Sequence, residues 1–483
     1  MKSDVEIIDG VLAEFTELAK YPRPSHHEKA VSDYLVSRLR TLGLDPVQDE
    51  VYNVICDKPA TPGYEDVPLT ILQGHMDMVC VAEPGKKFDP LTDPIVIKRD
   101  GDILSADGTS LGADDGIAEA VSLYLIQQDI SHGPLRFIFT VDEETGMTGA
   151  THLDAKYVQD AAYIINCDSE SMDILVVGSA GSVHMDFAKT ITWQKPEGTL
   201  ALDMTVKGLL GGHSGETINA GKGNAIKELA LLLRRIEDAG VAFSIASIDG
   251  GVAANAIPAD AHAVIVLNQA DAKAVEAVVA EAASEFNLIY GEVETKAAFT
   301  ALPVDLPEQV FSQADSEALI QLLCLLHSGV FVMNQRLPKL PDLSSNIGTV
   351  KVADGAVKVQ YFPRSSADAR LRALILAMPA LAEVTGFDLQ VGEINPAWTE
   401  KSHSVLAPIM NQASKSIRGK EMRIEAMHGG LETGFFFALN PKLDIVSIGA
   451  TTHDIHSPKE TLELSTIPPM VRVIVETLRL MKK

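Results

Sequence analysis

Residues 67–79, VPLTILQGHMDMV, combine a continuous apolar run with a loop that carries a histidine and an aspartate. A short apolar run bounded by turn residues is typical of a strand buried on both faces, as in a parallel sheet. The same order recurs in LRFIFTVDEETG at residues 135–146 and in AAYIINCDSE at residues 161–170. Between the first two stretches, GIAEAVSLYLIQQ at residues 116–128 has the pattern of a helix. Alternating strands and helices predict an α/β sheet with helices on its faces.

The middle of the chain follows a different pattern. The 483 residues exceed the length of about 250–300 residues at which single hydrophobic cores stop growing. After about residue 186, alternating segments such as TLALDMTVKGL at residues 199–209 predict strands of a half-exposed sheet. Near residue 400 the α/β pattern returns and continues to the end. We therefore predict a discontinuous α/β domain of residues 1–186 and 400–483, with a mostly parallel sheet, and an inserted α+β domain of residues 187–399.

The composition argues against several classes of protein. Hydrophobic residues make up 46% and charged residues 22% of the chain, which is typical of a soluble globular protein. The sequence lacks both the ~20 consecutive apolar residues of a membrane helix and a basic leader. A net charge of -26 argues against nucleic acid or an anionic membrane as partner, and solubility is its simplest role. The four cysteines form no CxxC pair, so we expect a cytoplasmic protein without disulfides or thiolate metal ligands.

Four of the predicted strand ends finish in loops that are rich in histidine, aspartate and glutamate. In parallel α/β sheets, the loops beyond the carboxyl ends of the strands are where ligands bind. A fifth loop of the same kind, SLGADDGIA at residues 110–118, comes directly before a helix. The acidic and imidazole residues of the five loops are His75 and Asp77, Asp114 and Asp115, Glu143 and Glu144, Asp168, and His453 and His456.

Imidazole and carboxylate groups without thiolates form a ligand set for zinc, manganese or cobalt. Several carboxylates cannot stay ionised at close range without a cation, so bound metal would relieve their repulsion. Two ions that share one carboxylate would lower the pKa of a water between them and polarise a substrate carbonyl. A nearby carboxylate must then carry the proton to the leaving amine, and Glu143 and Glu144 can divide these tasks because neighbours in an extended loop point to opposite sides. We predict a hydrolase with two divalent metal ions per chain, with zinc as the expected metal and cobalt or manganese as alternatives.

The motifs GHMDMV, GADDGIA, DEETG, NCDSE and HSPKE resemble those of the M20 family of metallopeptidases, and within it the aminoacyl-histidine dipeptidases. The resemblance runs over essentially the whole chain and implies a zinc-peptidase-like catalytic domain with an inserted lid and dimerisation domain. It implies that Glu143 is the general base and acid, and that Asp77 orients the ligand His75. It also implies that His75, Asp114 and Asp168 hold one ion, and that Asp114, Glu144 and His456 hold the other, with Asp114 bridging.

The resemblance extends to residues outside the metal loops. GLLGGHSGETI at residues 208–218 is similar to the family's lid motif, which implies that His213 reaches the scissile carbonyl when the lid closes. Arg364, in YFPRSS, would bind a substrate carboxylate through a forked hydrogen bond. The segment NAIP offers Asn255 as a substrate-binding residue, and HGGLETG places Glu432 in a glycine-rich loop where it would contact a substrate amino group.

The activity implied by the resemblance is that of a metallodipeptidase acting on small unblocked peptides, in particular Xaa-His dipeptides, as a homodimer through the lid domain. Asp168 stands where other branches of the family carry a glutamate, which favours a peptidase over a deacylase. A lid that captures both substrate termini also leaves little room for a longer chain. An aminotripeptidase or N-acyl amino acid hydrolase on the same scaffold stays an alternative. An inactive relative that binds peptides or metal is another, although the intact Glu143 argues against it.

Overall fold

The computed structural model describes residues 2–337 and 339–482, which form two compact units. Unit 1 consists of the residues up to Ser179, Trp398–Ala426 and the residues from Leu431 onward, whereas unit 2 consists of Ala180–Ala397 and Met427–Gly430. Each unit has its own hydrophobic core. Unit 1 is therefore discontinuous in the sequence. The role of the inserted part as a lid and dimerisation domain stays a prediction.

The first part of unit 1 begins with two helices and continues into strands. The first helix starts with a capping box, in which the Ser3 hydroxyl accepts from the Glu6 N–H and the Glu6 carboxylate accepts from the Ser3 N–H. The elements of this part are the helices α1 (Asp4–Leu18), α2 (Lys29–Thr41), α3 (Ala113–Ile126) and α4 (Thr148–His152), and the strands β1 (Val47–Gln48), β2 (Val54–Lys58), β3 (Thr70–His75), β4 (Ile97–Asp100), β5 (Ile103–Ala106), β6 (Leu135–Thr140), β7 (Tyr163–Asn166) and β8 (Ile174–Ser179).

Unit 2 contains helices and a largely antiparallel set of strands. They are β9 (Gly181–Thr190), β10 (Trp193–Gln194), β11 (Leu200–Lys207), β12 (Gly212–His213), α5 (Ala225–Asp238), β13 (Phe243–Gly250), β14 (Ala256–Ile257), β15 (Ala261–Leu267), α6 (Ala272–Tyr290), β16 (Ala298–Val304), β17 (Val310–Phe311), α7 (Gln313–Leu325), β18 (Gly329–Met333), β19 (Pro341–Ala353), β20 (Ala356–Ser365), α8 (Asp368–Thr385) and β21 (Asp388–Asn395).

The chain then returns to unit 1 with the α/β pattern expected after residue 400. Its last helix starts near two prolines, which suit the first turn because its N–H groups have no partner within the helix. The elements of this part are α9 (Leu406–Arg418), β22 (Arg423–Met427), α10 (Thr433–Leu439), β23 (Asp444–Ser447), β24 (Thr452–His453), β25 (Thr461–Glu463) and α11 (Ile467–Leu480). Among the described residues, none of the helices has the length and apolar composition of a membrane span.

The sheet of unit 2 has nine strands, in the order β16-β11-β15-β13-β19-β20-β9-β21, with β18 paired beside β19. All of these neighbours pair antiparallel. From Leu202 to Lys207 in β11, buried residues alternate with partly or fully exposed ones, as the TLALDMTVKGL pattern predicts. Helix α5 packs its apolar face into the core of the same unit, with Leu229, Leu233 and Ile236 fully buried.

The main sheet of unit 1 has eight strands in the order β1-β2-β6-β3-β7-β23-β8-β22. Its four central strands, β6, β3, β7 and β23, pair parallel with one another. All six residues of β3 and all six of β6 are buried, as their continuous apolar runs predict. The pairs β1–β2, β2–β6 and β23–β8 are antiparallel, so the predicted parallel pairing is confirmed for the central strands only. The carboxyl ends of the four central strands consequently lie along one edge.

Candidate metal centre

The predicted ligands lie together in unit 1, beyond the carboxyl ends of the central strands. Residues distant in sequence converge there because parallel strands place the loops that follow them along the same edge. His75 ends β3, Glu143 and Glu144 follow β6, Asp168 follows β7, Asp114 lies in the first turn of α3, and His456 lies between β24 and β25.

The Asp114 carboxylate faces two histidines with its two oxygens. Its Oδ1 lies 3.1 Å from His75 Nε2, and its Oδ2 lies 3.1 Å from His456 Nε2. His75 Nε2 also lies 3.8 Å from Asp168 Oδ1, while His456 Nε2 lies 2.9 Å from Glu144 Oε2. One carboxylate thus stands between two sets of donor atoms, which is the arrangement of a ligand shared by two cations.

Asp77 is fully buried and holds three parts of this group in place. Its Oδ1 lies 3.3 Å from His75 Nδ1 and accepts a hydrogen bond from the Glu143 N–H at 2.9 Å. Its Oδ2 accepts from the Glu144 N–H at 3.1 Å and from the Ser25 hydroxyl at 2.8 Å. Asp77 therefore orients both the imidazole ring and the loop of the two glutamates. Ser25 was missed in the sequence, where its only signal is the polar segment SHHE before α2.

The pKa values of the predicted ligands are shifted because several acidic side chains lie within a few ångströms of one another. Burial raises the pKa of Glu144 and that of Asp168 above the ordinary range of carboxyl groups. Hydrogen bonds with Asp114 and Glu144 raise the pKa of His456 to about 10. Burial would raise the pKa of Asp114, but hydrogen bonds with His456 and His75 outweigh it and lower that pKa. Carboxylate and imidazole groups at such close range favour a bound cation, so this donor set fits divalent metal ions.

Glu143 differs from its neighbour Glu144 in its contacts. Its half-buried carboxylate forms no hydrogen bond with any residue that the structure describes, although its main-chain N–H is held by Asp77. Burial raises the pKa of Glu143 well above the ordinary value. A carboxylate next to the predicted ligands, with a raised pKa and no hydrogen bond to the described residues, is suited to accept and release a proton.

Two further residues of the acidic and imidazole loops have other contacts. Asp115 is buried, and its Oδ2 accepts a hydrogen bond from the His75 N–H at 3.3 Å. It nevertheless offers, with His75 and Asp168, a second group of donor atoms within 4.8 Å of one another. His453 Nε2 lies 2.7 Å from Glu463 Oε1, and His453 is not among the ligands that the family resemblance implies.

Glu432 is 1% exposed and stands at the start of α10, rather than in an open loop. Its Oε2 accepts hydrogen bonds from the Thr140 hydroxyl at 2.6 Å and from the Gln73 side-chain amide at 2.7 Å. Burial raises its pKa to about 7. These neighbours come from β6 and β3 and account for the enclosure of Glu432 within unit 1. Its contact with a substrate amino group stays a prediction.

Unit 2 brings three other predicted residues close to one another. Arg364 Nη2 lies 3.4 Å from His213 Nε2, and Arg364 Nε donates to the Ser214 hydroxyl at 3.4 Å. The Ser214 N–H donates in turn to the Asn255 carbonyl at 2.8 Å. Arg364 is 5% exposed, and burial lowers its pKa to about 10. Across residues 2–337 and 339–482, no carboxylate lies within ion-pair distance of Arg364, although the charge of Glu216 partly stabilises its guanidinium.

Comparison with known proteins identifies the family of the chain. The sequence pattern of "Peptidase family M20/M25/M40" matches residues 71–480. A cytosol non-specific dipeptidase of Escherichia coli (strain K12) is 30% identical over 471 residues, which cover 96% of each chain. The crystal structure of an aminoacylhistidine dipeptidase from Vibrio alginolyticus matches with a TM-score of 0.89 and 30% identity, covering 98% of this chain and 96% of that one. The aminopeptidase PepT from Bacillus cereus shares the fold, with a TM-score of 0.57 at 17% identity and 99% of each chain covered. The chain therefore belongs to peptidase family M20/M25/M40, as the order of its motifs indicated.

Proposed function

We propose that the chain is a metal-dependent dipeptidase that hydrolyses unblocked dipeptides, including those with a C-terminal histidine. The observation that carries the proposal is the Asp114 carboxylate, whose two oxygens each lie 3.1 Å from a different histidine. The substrate class is supported by two relatives that match nearly the whole chain and are named as a non-specific dipeptidase and an aminoacylhistidine dipeptidase.

The donor atoms suit two divalent ions, with zinc as the expected metal and cobalt or manganese as alternatives. His75 and Asp168 would hold one ion, Glu144 and His456 would hold the other, and Asp114 would contact both. When bound, such ions polarise a peptide carbonyl and make water a stronger acid.

Glu143 is the group of the chain that moves protons. Its carboxylate accepts a proton from the attacking water and delivers it to the nitrogen of the leaving amine. Burial raises the pKa of Glu143 and so favours its protonated form, which is the form that donates to the amine. Asp77 keeps Glu143 in position through the main-chain hydrogen bond at 2.9 Å.

Arg364 of unit 2 binds the carboxylate of the substrate. The assignment is supported by the buried guanidinium, which forms no ion pair with the described residues and lies beside His213. A buried charge without a counter-charge is costly, and a substrate carboxylate would supply one. His213 and Asn255 belong to the same substrate-binding group.

Replacing Arg364 by methionine is expected to raise KM for a dipeptide by about 10- to 100-fold, because a charge-assisted hydrogen bond contributes roughly 1.5–3 kcal/mol. Steady-state kinetics with Ala-His and with its C-terminal amide measures the effect, and the variant should lose the preference for the free carboxylate. Arg372→Met, at an exposed arginine of the same unit, serves as the control. An unchanged KM and an unchanged preference would contradict the assignment.

The proposed activity is tested with a small panel of substrates. We expect zinc-loaded protein to hydrolyse carnosine and Ala-His, and to act on a tripeptide or an N-acetyl amino acid at least about 10-fold more slowly. Amino acid release, followed by chromatography, measures the rates. Preference for the tripeptide would indicate an aminotripeptidase, and preference for the N-acetyl compound an acyl hydrolase. A chain that binds zinc but cleaves none of them would be an inactive relative.

Location and assembly are part of the proposal. A cytoplasmic location is supported by the name of the Escherichia coli relative and by the four cysteines, none of which is paired in the described chain. A homodimer through unit 2 is supported by the edge strand β16, where Leu302 and Val304 expose apolar surface.

A further inference from the structure

Glu460, the last residue of the HSPKE motif, is buried in unit 1 and binds the main chain of another ligand loop. Its exposed fraction is 2%. Its Oε2 accepts hydrogen bonds from the N–H groups of Leu111 at 2.7 Å and Gly112 at 2.9 Å. Its Oε1 accepts from the N–H groups of Ala113 at 2.8 Å and Asp114 at 3.4 Å. Four consecutive N–H groups thus point at one carboxylate.

This carboxylate sets the conformation of the segment that carries Asp114. The segment leads into the N-terminus of α3, where N–H groups lack partners within the helix and favour an anion. Gly112 has a φ of +71°, which lets successive N–H groups turn to the same side. A Cβ at Gly112 would lie 2.5 Å from Met78 Sδ and 2.7 Å from Arg23 Nη2, so a larger residue would require these side chains to move.

Arg23 binds the same segment through a carbonyl group. Its Nη2 donates to the Gly112 carbonyl at 2.6 Å, and its Nη1 donates to the Met76 carbonyl at 2.7 Å. Arg23 is 1% exposed. It therefore joins the segment before Asp114 to the loop that follows His75.

The loop of His456 is joined to the same segment through Glu460. Only three residues separate His456 from Glu460, and one of them is Pro458, whose φ is restricted by its ring. His456 itself has a φ of 58°, a left-handed conformation that residues other than glycine keep only where their surroundings hold it. A displacement of the Glu460 carboxylate would therefore move both the His456 loop and the Asp114 segment.

We propose that Glu460 is a positioning residue that couples the Asp114 and His456 loops, with Arg23 as a second connection to the loop of His75. The proposal rests on the proposed metal centre, because its consequence is the separation of the ligand atoms. Loss of the Glu460 carboxylate should leave the fold intact and weaken metal binding, since residues that orient ligands typically change metal affinity by about 10- to 100-fold.

The test compares full-length Glu460→Gln and Glu460→Asp with wild type and with Glu463→Gln. Glu463 is a suitable control because it lies three residues further along and contacts His453, which has no assigned role. Zinc affinity is measured by competition with a chromophoric chelator, the geometry of the site by the visible absorption of bound Co²⁺, and folding by circular dichroism. We expect Glu460→Gln to bind at least one zinc ion about 10- to 100-fold more weakly and to alter the Co²⁺ spectrum.

Glu460→Asp keeps the charge but is one methylene shorter, so it should recover part of the affinity, and Glu463→Gln should match wild type. If Glu460→Gln does not fold, Glu460→Asp carries the comparison. A lower melting temperature with unchanged zinc affinity and Co²⁺ spectrum would mean that Glu460 is merely structural, and would overturn this inference alone. Failure of the wild-type chain to bind zinc would instead overturn the metal centre, and this inference with it.

Discussion

Glu143→Ala is expected to lower kcat for dipeptide hydrolysis by about 10²- to 10⁴-fold while both metal ions stay bound. The carboxylate of Glu143 forms no hydrogen bond with the described residues, so its removal leaves the contacts of the proposed ligands intact. Because the residue acts on the proton in the transition state, kcat and kcat/KM should fall together. Steady-state kinetics and elemental analysis of the same preparation measure both quantities.

Glu144→Ala serves as the matched variant one position along the chain. Its carboxylate lies 2.9 Å from His456 Nε2, within the proposed ligand group. We expect this substitution to weaken the binding of one metal ion. Activity that is lost at a low zinc concentration should then return in part when the zinc concentration is raised. Equal metal retention in the two variants, or recovery of Glu143→Ala with added zinc, would show that the roles of the pair are misassigned.

Asp114→Asn should abolish activity through loss of metal. The wild-type chain is expected to bind about two zinc ions, since two ions commonly share one bridging carboxylate. An asparagine has one oxygen and no charge, so it cannot replace a carboxylate whose two oxygens face His75 and His456. Both ions should therefore bind more weakly. Elemental analysis after dialysis should find fewer zinc ions per chain than in the wild type. After removal of metal with a chelator, addition of zinc should restore the activity of the wild-type chain. The same treatment should not restore activity to the variant.

Asp115→Asn provides the control for this substitution. Asp115 Oδ2 accepts a hydrogen bond from the His75 N–H, and an asparagine oxygen can accept the same bond. This variant should keep its metal and most of its activity. The reverse result, with metal lost in Asp115→Asn and kept in Asp114→Asn, would identify the alternative group of His75, Asp115 and Asp168 as the ligand set.

The local sequence was sufficient to predict the central part of unit 1. Strands β3 and β6 are continuous apolar runs, and burial of every residue in both confirms this interpretation. The loops that end these strands carry the histidine and acidic residues, so their convergence followed from the parallel pairing. The order of the motifs also indicated the family, which the match over residues 71–480 confirms.

The sequence alone determined the strand and helix pattern, the loops with metal-binding chemistry and the family, because periodicity and motifs are properties of neighbouring residues. Only the tertiary structure decided which strands pair antiparallel, that Glu432 is enclosed, and that Arg364 is buried without an ion pair to any described residue. It also decided the contact between Leu111 and Glu460, which are 349 positions apart. Such contacts depend on how segments that are distant in sequence pack together. A pattern within one segment carries no information about its distance from another segment.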